Sequence, residues 1–234
     1  MKKLSMRTYK IVCISLLCSV YTYGEARIGL GGIYSQRDLP SQNLHTTSKD
    51  YGGYLTLSGD ISFFQRLKLG AITDIGMGSN TNNNSSTFFD PSVKLGFNTS
   101  YSHNPLWINV GFTGGAYRYD ITPNRIYTAY FAASAGFEGR IQSGEKLYYE
   151  YTADYDYILH DQISTKTPSI AITHTNNGNY GIRASIGFSY KLSENIFYYI
   201  KFRAKYQNLA YHQTLPTANN LIGMIEIGIG GKNW

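Results

Sequence analysis

No run of apolar residues in this chain approaches the ~20 needed for a membrane-spanning helix. Cysteine is nearly missing as well: Cys13 and Cys18 are the two present, and both fall within the first 24 residues. Without that segment the chain has no disulfide, no thiol chemistry and no cysteine-based metal site. Excess positive charge disappears on the same terms. The formal charge is +6, but Lys2, Lys3, Arg7 and Lys10 supply four of the 21 bases, and the remaining 17 against 15 acids leave +2. That balance gives no basic face for a nucleic-acid partner. A phosphate-binding glycine loop is also absent, since the 24 glycines fit strand packing and turns.

The N-terminus has its own logic. "MKKLSMRTYK" is basic, "IVCISLLCSVY" is a short apolar core, and small residues follow near Gly24 and Ala26. This is the pattern of a secretory signal peptide, too short to span a membrane. Cleavage after Gly24 and cleavage after Ala26 are both open. A lipoprotein is disfavoured, because Leu17 precedes Cys18 where a small residue is required. The chain therefore divides into a signal, 1–24, and a mature domain, 25–234.

In the mature domain the apolar period is two, not 3.6. Ten runs carry it, near 26–35, 51–63, 67–78, 92–101, 106–118, 127–141, 147–159, 179–190, 196–207 and 221–231. In the second, Tyr51, Leu55, Leu57, Ile61 and Phe63 alternate with Tyr54, Thr56, Ser58, Asp60 and Ser62. The connections alternate too. "FQR", "SHNP", "QSGEK" and "KLSEN" are tight turns, whereas "QRDLPSQNLHTTSKD", "SNTNNNSSTFFD", "YDITPNR", "HDQISTKTPSIAITHTNNG" and "NLAYHQTLPTANN" read as long polar loops. Short turns at one end and long loops at the other, on strands of about 9–11 residues or more, predict a transmembrane β-barrel. The expected fold is all-β: a closed antiparallel up-and-down barrel of about ten strands, with short periplasmic turns and long extracellular loops. Closure satisfies every backbone hydrogen bond where lipid offers none. Aromatic pairs near strand ends (Tyr51 and Phe63, Tyr127 and Phe137, Tyr149 and Tyr157) fit interfacial girdles.

With the apolar parity turned to lipid, the other parity lines the lumen, and nearly all strand charges fall on it. The seventh run, "LYYEYTADYDYIL", contributes Glu150, Asp154 and Asp156; the ninth contributes Lys201, Arg203 and Lys205; the eighth adds Arg183 and the tenth Glu226. Asp60, Lys68, Asp74, Lys94, Glu138 and Arg140 share the inward parity, with Tyr54, Trp107, Tyr117, Tyr130, Tyr148, Phe197 and Tyr199. Buried charges must pair, so these predict a lumen salt-bridge network in which seventh-strand acids meet ninth-strand bases over the small residues Ser185, Gly187 and Ser189. Arg118 faces outward at the end of its strand. The last run ends at Trp234, out of step with Ile225, Ile227 and Ile229, an offset that a bulge at Gly230-Gly231 would absorb.

This plan of strands and turns, carried for instance by "NYGIRASIGFSYKLSENIFYYIKFRAKYQN", resembles the ten-stranded outer-membrane barrels, the omptin proteases and the Opc-type adhesins, from about Ala26 onward. The omptin resemblance implies an acidic pair facing an Asp–His pair at the rim. Here the second loop offers Asp90 alone, His160 lies near the expected rim position, and residue 158 is Ile where the family's Asp would stand. His160, Asp161, His174 and His212 are candidate rim residues; His45 also falls on a loop, and none has the fixed spacing of a metal site. No lipid A deacylase pattern is present either, since Asn176 and not Ser follows His174 by two.

The residues favour a surface adhesion, binding or structural protein working through its loops, with a narrow porin-like channel as the alternative and an omptin-like rim protease third. No catalytic residue, metal or cofactor is expected. The expected partners are the lipid bilayer and lipopolysaccharide, the outer-membrane assembly machinery during biogenesis, and a host or other extracellular ligand at the loops. The expected location is the outer membrane of a Gram-negative cell.

Overall fold

A computed structural model of the chain describes residues 22–41, 44–63, 66–80, 84–100, 102, 104–121, 124–166, 171–176, 178–209 and 218–232. Most of the signal segment, residues 1–21, and Trp234 lie outside the described residues. The strands are β1 (Thr22–Ser41), β2 (Leu44–Phe63), β3 (Leu67–Asn80), β4 (Ser85–Asn98), β5 (Leu106–Ile121), β6 (Asn124–Ser143), β7 (Leu147–Lys166), β8 (Ala171–Asn176), β9 (Asn179–Lys191), β10 (Ile196–Leu209) and β11 (Ala218–Lys232). β1 to β7 pair antiparallel in chain order, β7 pairs with β9, β9 to β11 continue in order, and β1 pairs with β11 from Glu25↔Lys232 to Arg37↔Asn220. Ten strands thus close an up-and-down barrel. The short β8 carries on from the end of β9 along the same side of β7, pairing with its far end from Asp161↔Asn176 to Lys166↔Ala171.

The alternation read from the sequence is turned inside out relative to a soluble protein. Leu30, Met77 and Ile227 are 63%, 69% and 61% exposed, while Thr56 and Asp156 are 0% and 2% exposed. With Ile28, Leu57, Val93, Leu95, Ile108 and Ile186 also outward, the outer wall is an apolar belt. A water-facing wall of this composition is untenable, and a hydrocarbon-facing one is required. The tight turns at "QSGEK" and "KLSEN" stand where the spacing predicts them. Gly144, at φ +75°, supplies the left-handed position of the turn between β6 and β7.

The strands are longer than their apolar runs. β1, β2, β6 and β7 each have 20 residues. At about 3.4 Å per residue such a strand runs about 65 Å, or about 50 Å along the axis at a tilt near 40°, against an apolar band about 25 Å tall. Much of the "QRDLPSQNLHTTSKD" segment, read as loop, is therefore a continuation of the β1–β2 hairpin, which pairs out to Ser41↔Leu44. Likewise "SSTFFD" belongs to β4, which spans 85–98 instead of 92–101 and pairs with β3 out to Ser79↔Ser85. Ladder hydrogen bonds continue through these Ser- and Thr-rich stretches, where there is no alternation to signal a strand.

Two further expectations are corrected. β11 keeps its register with β1 and β10 through Gly230 and Gly231, so no bulge lies there. The bulge is in β7: Ala132 faces Ile158 and Phe131 faces His160, leaving Leu159 as the extra residue. Beyond it the inward parity of β7 changes from even (Asp154, Asp156, Ile158) to odd (Asp161, Ile163).

Candidate functional site in the lumen

The inward side chains form successive levels. Nearest the turns, Arg27 on β1 bridges Glu25 and Glu150, reaching the latter at 2.6 and 2.7 Å. Arg140 on β6 holds the same two acids at 3.0 and 2.8 Å, and Lys68 pairs with Glu138. Glu25 adjoins the open cleavage position: cutting after Gly24 keeps it in the network, and cutting after Ala26 removes it. At mid-height Lys94 meets Asp154 at 2.5 Å, Arg183 meets Asp156 at 2.7 Å, and Arg203 meets Asp74 at 2.5 Å and Glu226 at 3.4 Å.

Above these, towards the long hairpins, Lys205 sits 2.5 Å from Asp90, and its ammonium donates to the hydroxyls of Tyr117 and Tyr130 at 2.9 and 2.5 Å. Both hydroxyls in turn donate to Asp90, at 2.9 and 2.8 Å. Lys205 and Asp90 thus neutralise each other with their hydrogen-bonding capacity filled by the two phenols, which makes burying them tolerable. Arg37 caps this knot, its guanidinium 4.0 Å from the ring centre of Tyr117 and 5.3 Å from that of Tyr119. Tyr117, Tyr119 and Tyr130 pack with Ile126, Ala132, Ile158, Ile163, Leu209 and Ala218 in a buried apolar cluster. The upper lumen is filled.

Below that seal lies a cavity of about 290 Å³. Its lining runs from Asp90 and Lys205 down to Gly24, Ser62 and Pro105 at the turn end.

The eight lumen residues singled out from the sequence all stand on the inner wall, but their pairing differs from the expectation. Glu150, Asp154 and Asp156 bond to Arg27 and Arg140, Lys94, and Arg183, on β1, β6, β4 and β9, not to bases on β10. Arg203 and Lys205 reach Asp74 and Asp90 on β3 and β4. Adjacent register does not decide partners in a narrow barrel, because long side chains cross it.

Of the candidate rim residues, the two whose side chains are described, His160 and Asp161, point to opposite faces of the wall. His160 follows the bulge and is exposed on the outer face, while Asp161 turns inward, 1% exposed, and accepts a 3.0 Å hydrogen bond from Asn179 Nδ2. The side chains of His45, His174 and His212 fall outside the described residues. Asp90, read as a loop acid, is the anion of the seal. Among the described residues no cluster of His, Cys, Asp and Glu could hold a metal ion.

Sequence reasoning passed over Glu25, Arg27, Arg37 and Asp50 as lumen residues. Arg27 was legible, since it has the inward parity of the first run. Glu25 lay at the edge of the signal, and Arg37 and Asp50 fell in a segment read as loop.

No protein-family model matches this sequence, nor does any curated protein. Solved structures do match its fold. The outer membrane protease OmpT from Escherichia coli superimposes with a TM-score of 0.68 at 9% identity, over 91% of this chain and 96% of that one. The translocator domain of autotransporter NalP from Neisseria meningitidis follows at 0.51 and 13% identity, over 96% and 93%. At such identities the likeness carries the fold alone. The chain is a closed ten-stranded barrel of the outer-membrane type.

Proposed function

We propose that this protein is a surface binding protein of an outer membrane, with its recognition surface on the strand ends and hairpins above the apolar belt and its barrel serving as a closed anchor. The observation that carries this reading is the seal. Lys205, Asp90, Tyr117 and Tyr130 are bonded to one another, Arg37 lies across them, and an apolar cluster packs around them. A solute path would have to break those bonds and displace the rings. What remains available to a partner is the protruding sheet, which carries outward aromatic rings such as Tyr51 and Tyr180 and a mixed set of charges including Asp120, shared by Arg118 and Arg125 at 2.9 and 3.1 Å. Rigid, projecting β-structure with polar and aromatic side chains suits recognition of an extracellular ligand. In this reading the protein is not an enzyme, and it sits among outer-leaflet lipids and lipopolysaccharide.

The charged cavity below the seal favours a second reading, a narrow channel. Planar-bilayer conductance of refolded, signal-free protein separates the two. A silent bilayer from protein shown to be folded is the expected result. Unitary steps that change size in the Asp154→Asn/Asp156→Asn variant would replace the anchor reading with a charge-tuned pore.

A further inference from the structure

Eight bases line the lumen cavity, and seven of them are held in ion pairs. Lys201 is the eighth, and among the described residues its ammonium has neither an ion pair nor a hydrogen bond. The two acids placed to serve it are already taken. Glu226, its register partner on β11, accepts from Tyr199 at 2.5 Å, Tyr54 at 3.3 Å and Arg203 at 3.4 Å. Glu150, one strand beyond its other partner Gly187, is held by Arg27 at 2.6 and 2.7 Å, Arg140 at 2.8 Å and Ser189 at 2.9 Å. Gly187 has no side chain, so that position offers the ammonium no partner. Two residues along that strand, Ser185 also lines the cavity, its hydroxyl 2.8 Å from that of Thr152.

An ammonium that faces a cavity with no carboxylate bonded to it, and a ring centre (Tyr199) only at 5.9 Å, has its hydrogen-bonding capacity open to some other acceptor. The Thr152–Ser185 pair uses one hydroxyl hydrogen between its members and keeps one to donate, which with the ammonium suits an acceptor with several oxygens. The remaining acid of the lining, Asp60, is level with Glu25, well towards the turns, and does not crowd the patch. A volume of about 290 Å³ lies near the small end of the roughly 300–1,000 Å³ usual for ligand sites. We propose that the lumen is a cup open towards the periplasm that seats a small oxyanion, a phosphate or a carboxylate, on Lys201 with Ser185 and Thr152. This site is independent of the recognition surface on the opposite side.

The test is isothermal titration of refolded, signal-free protein in a phosphate-free glycoside detergent, with inorganic phosphate in one arm and acetate in the other. Saturable binding of at least one anion at a single site is expected, and the tighter of the two identifies the source. Lys201→Met should weaken that binding at least tenfold, Lys201→Arg should restore most of it, and Lys191→Met, at the turn end of β9 and outside the cavity lining, should leave it unchanged. Removing an ammonium that makes no ion pair or hydrogen bond strands no partner, so it should not hinder folding. Should Lys201→Met nevertheless fail to fold, Thr152→Val/Ser185→Ala gives the same readout with the lysine in place. Access is read by attaching a bulky maleimide to Ser62→Cys at the turn-end mouth, which should slow association. No saturable binding by folded protein, or wild-type binding by Lys201→Met, overturns the anion seat; association unaffected by the maleimide overturns entry from the turns.

Discussion

Arg203 spans the lumen to take both oxygens of Asp74, at 2.8 and 2.5 Å, and the acid is almost fully enclosed. A buried pair of this kind contributes little by existing and a great deal by not being broken. Desolvation of both ions cancels most of their attraction, but deleting one leaves the other stranded. Asp74→Ala should therefore lose about 3 kcal/mol, the low end for breaking a buried pair, because Arg203 keeps Glu226 at 3.4 Å and a face on the cavity. Asp74→Ala/Arg203→Met should recover most of that loss. Urea unfolding of the refolded barrel, followed by tryptophan fluorescence, measures both. Equal losses in the single and double variants would mean that Asp74 acts through its hydrogen-bonding surroundings and not through Arg203.

At the level of the strand, glycine and aromatic residues divide the inner wall between them. Rings lie flat across glycines of neighbouring strands, as Tyr130 does over Gly115 and Tyr199 over Gly228. A side chain at Gly115 would run into the ring of Tyr130 and the ring of Tyr117, so Gly115→Val should destabilise by about 1–3 kcal/mol through overpacking. Gly223 on β11 has open space around it, and Gly223→Val should shift the urea midpoint hardly at all. A comparable shift from both would remove the seated-ring explanation. Which face each residue takes was legible in the sequence, because a two-residue period carries that information directly, and it placed Glu150, Lys201 and Glu226 on the inner wall. Parity says nothing about how far around the barrel a partner stands, which is why Glu150 was matched with β10 and not with Arg27. Nor could it locate the bulge: "YILHD" has apolar residues on both parities, so the shift that turns His160 outward leaves no trace in the pattern. Strand ends were missed for a related reason. Asn, Ser and Thr above the lipid belt need not alternate, although their backbones remain paired.

The whole molecule has two unlike ends. Towards the hairpins the lumen is packed with phenols and aliphatic side chains, and outside it the sheet stands well clear of the belt. Towards the turns the wall encloses charges around open volume. This asymmetry is what the two proposals rest on: recognition on the side of the packed end, and an anion seat on the side of the open volume. The outer apolar belt, which includes Ile28 and Ile227 on either side of the β1–β11 seam, fixes the depth at which both ends are held.

The cross-lumen bridges also bear on how long the folded barrel lasts. Arg27 and Glu150 are 123 residues apart in sequence, Arg203 and Asp74 129, and Lys205 and Asp90 115, so none can form until the walls that carry them face each other. The seam between β1 and β11 joins the two ends of the described chain and must close late for the same reason. Contacts made after the rate-limiting arrangement of strands leave the rate of folding alone and slow the reverse reaction. Neutralising Asp74 should accordingly speed unfolding in concentrated urea while leaving the refolding rate near that of the parent protein, as stopped-flow traces on both limbs would register. The bridges act as latches fastened last, and the barrel's persistence is set by how rarely they come undone.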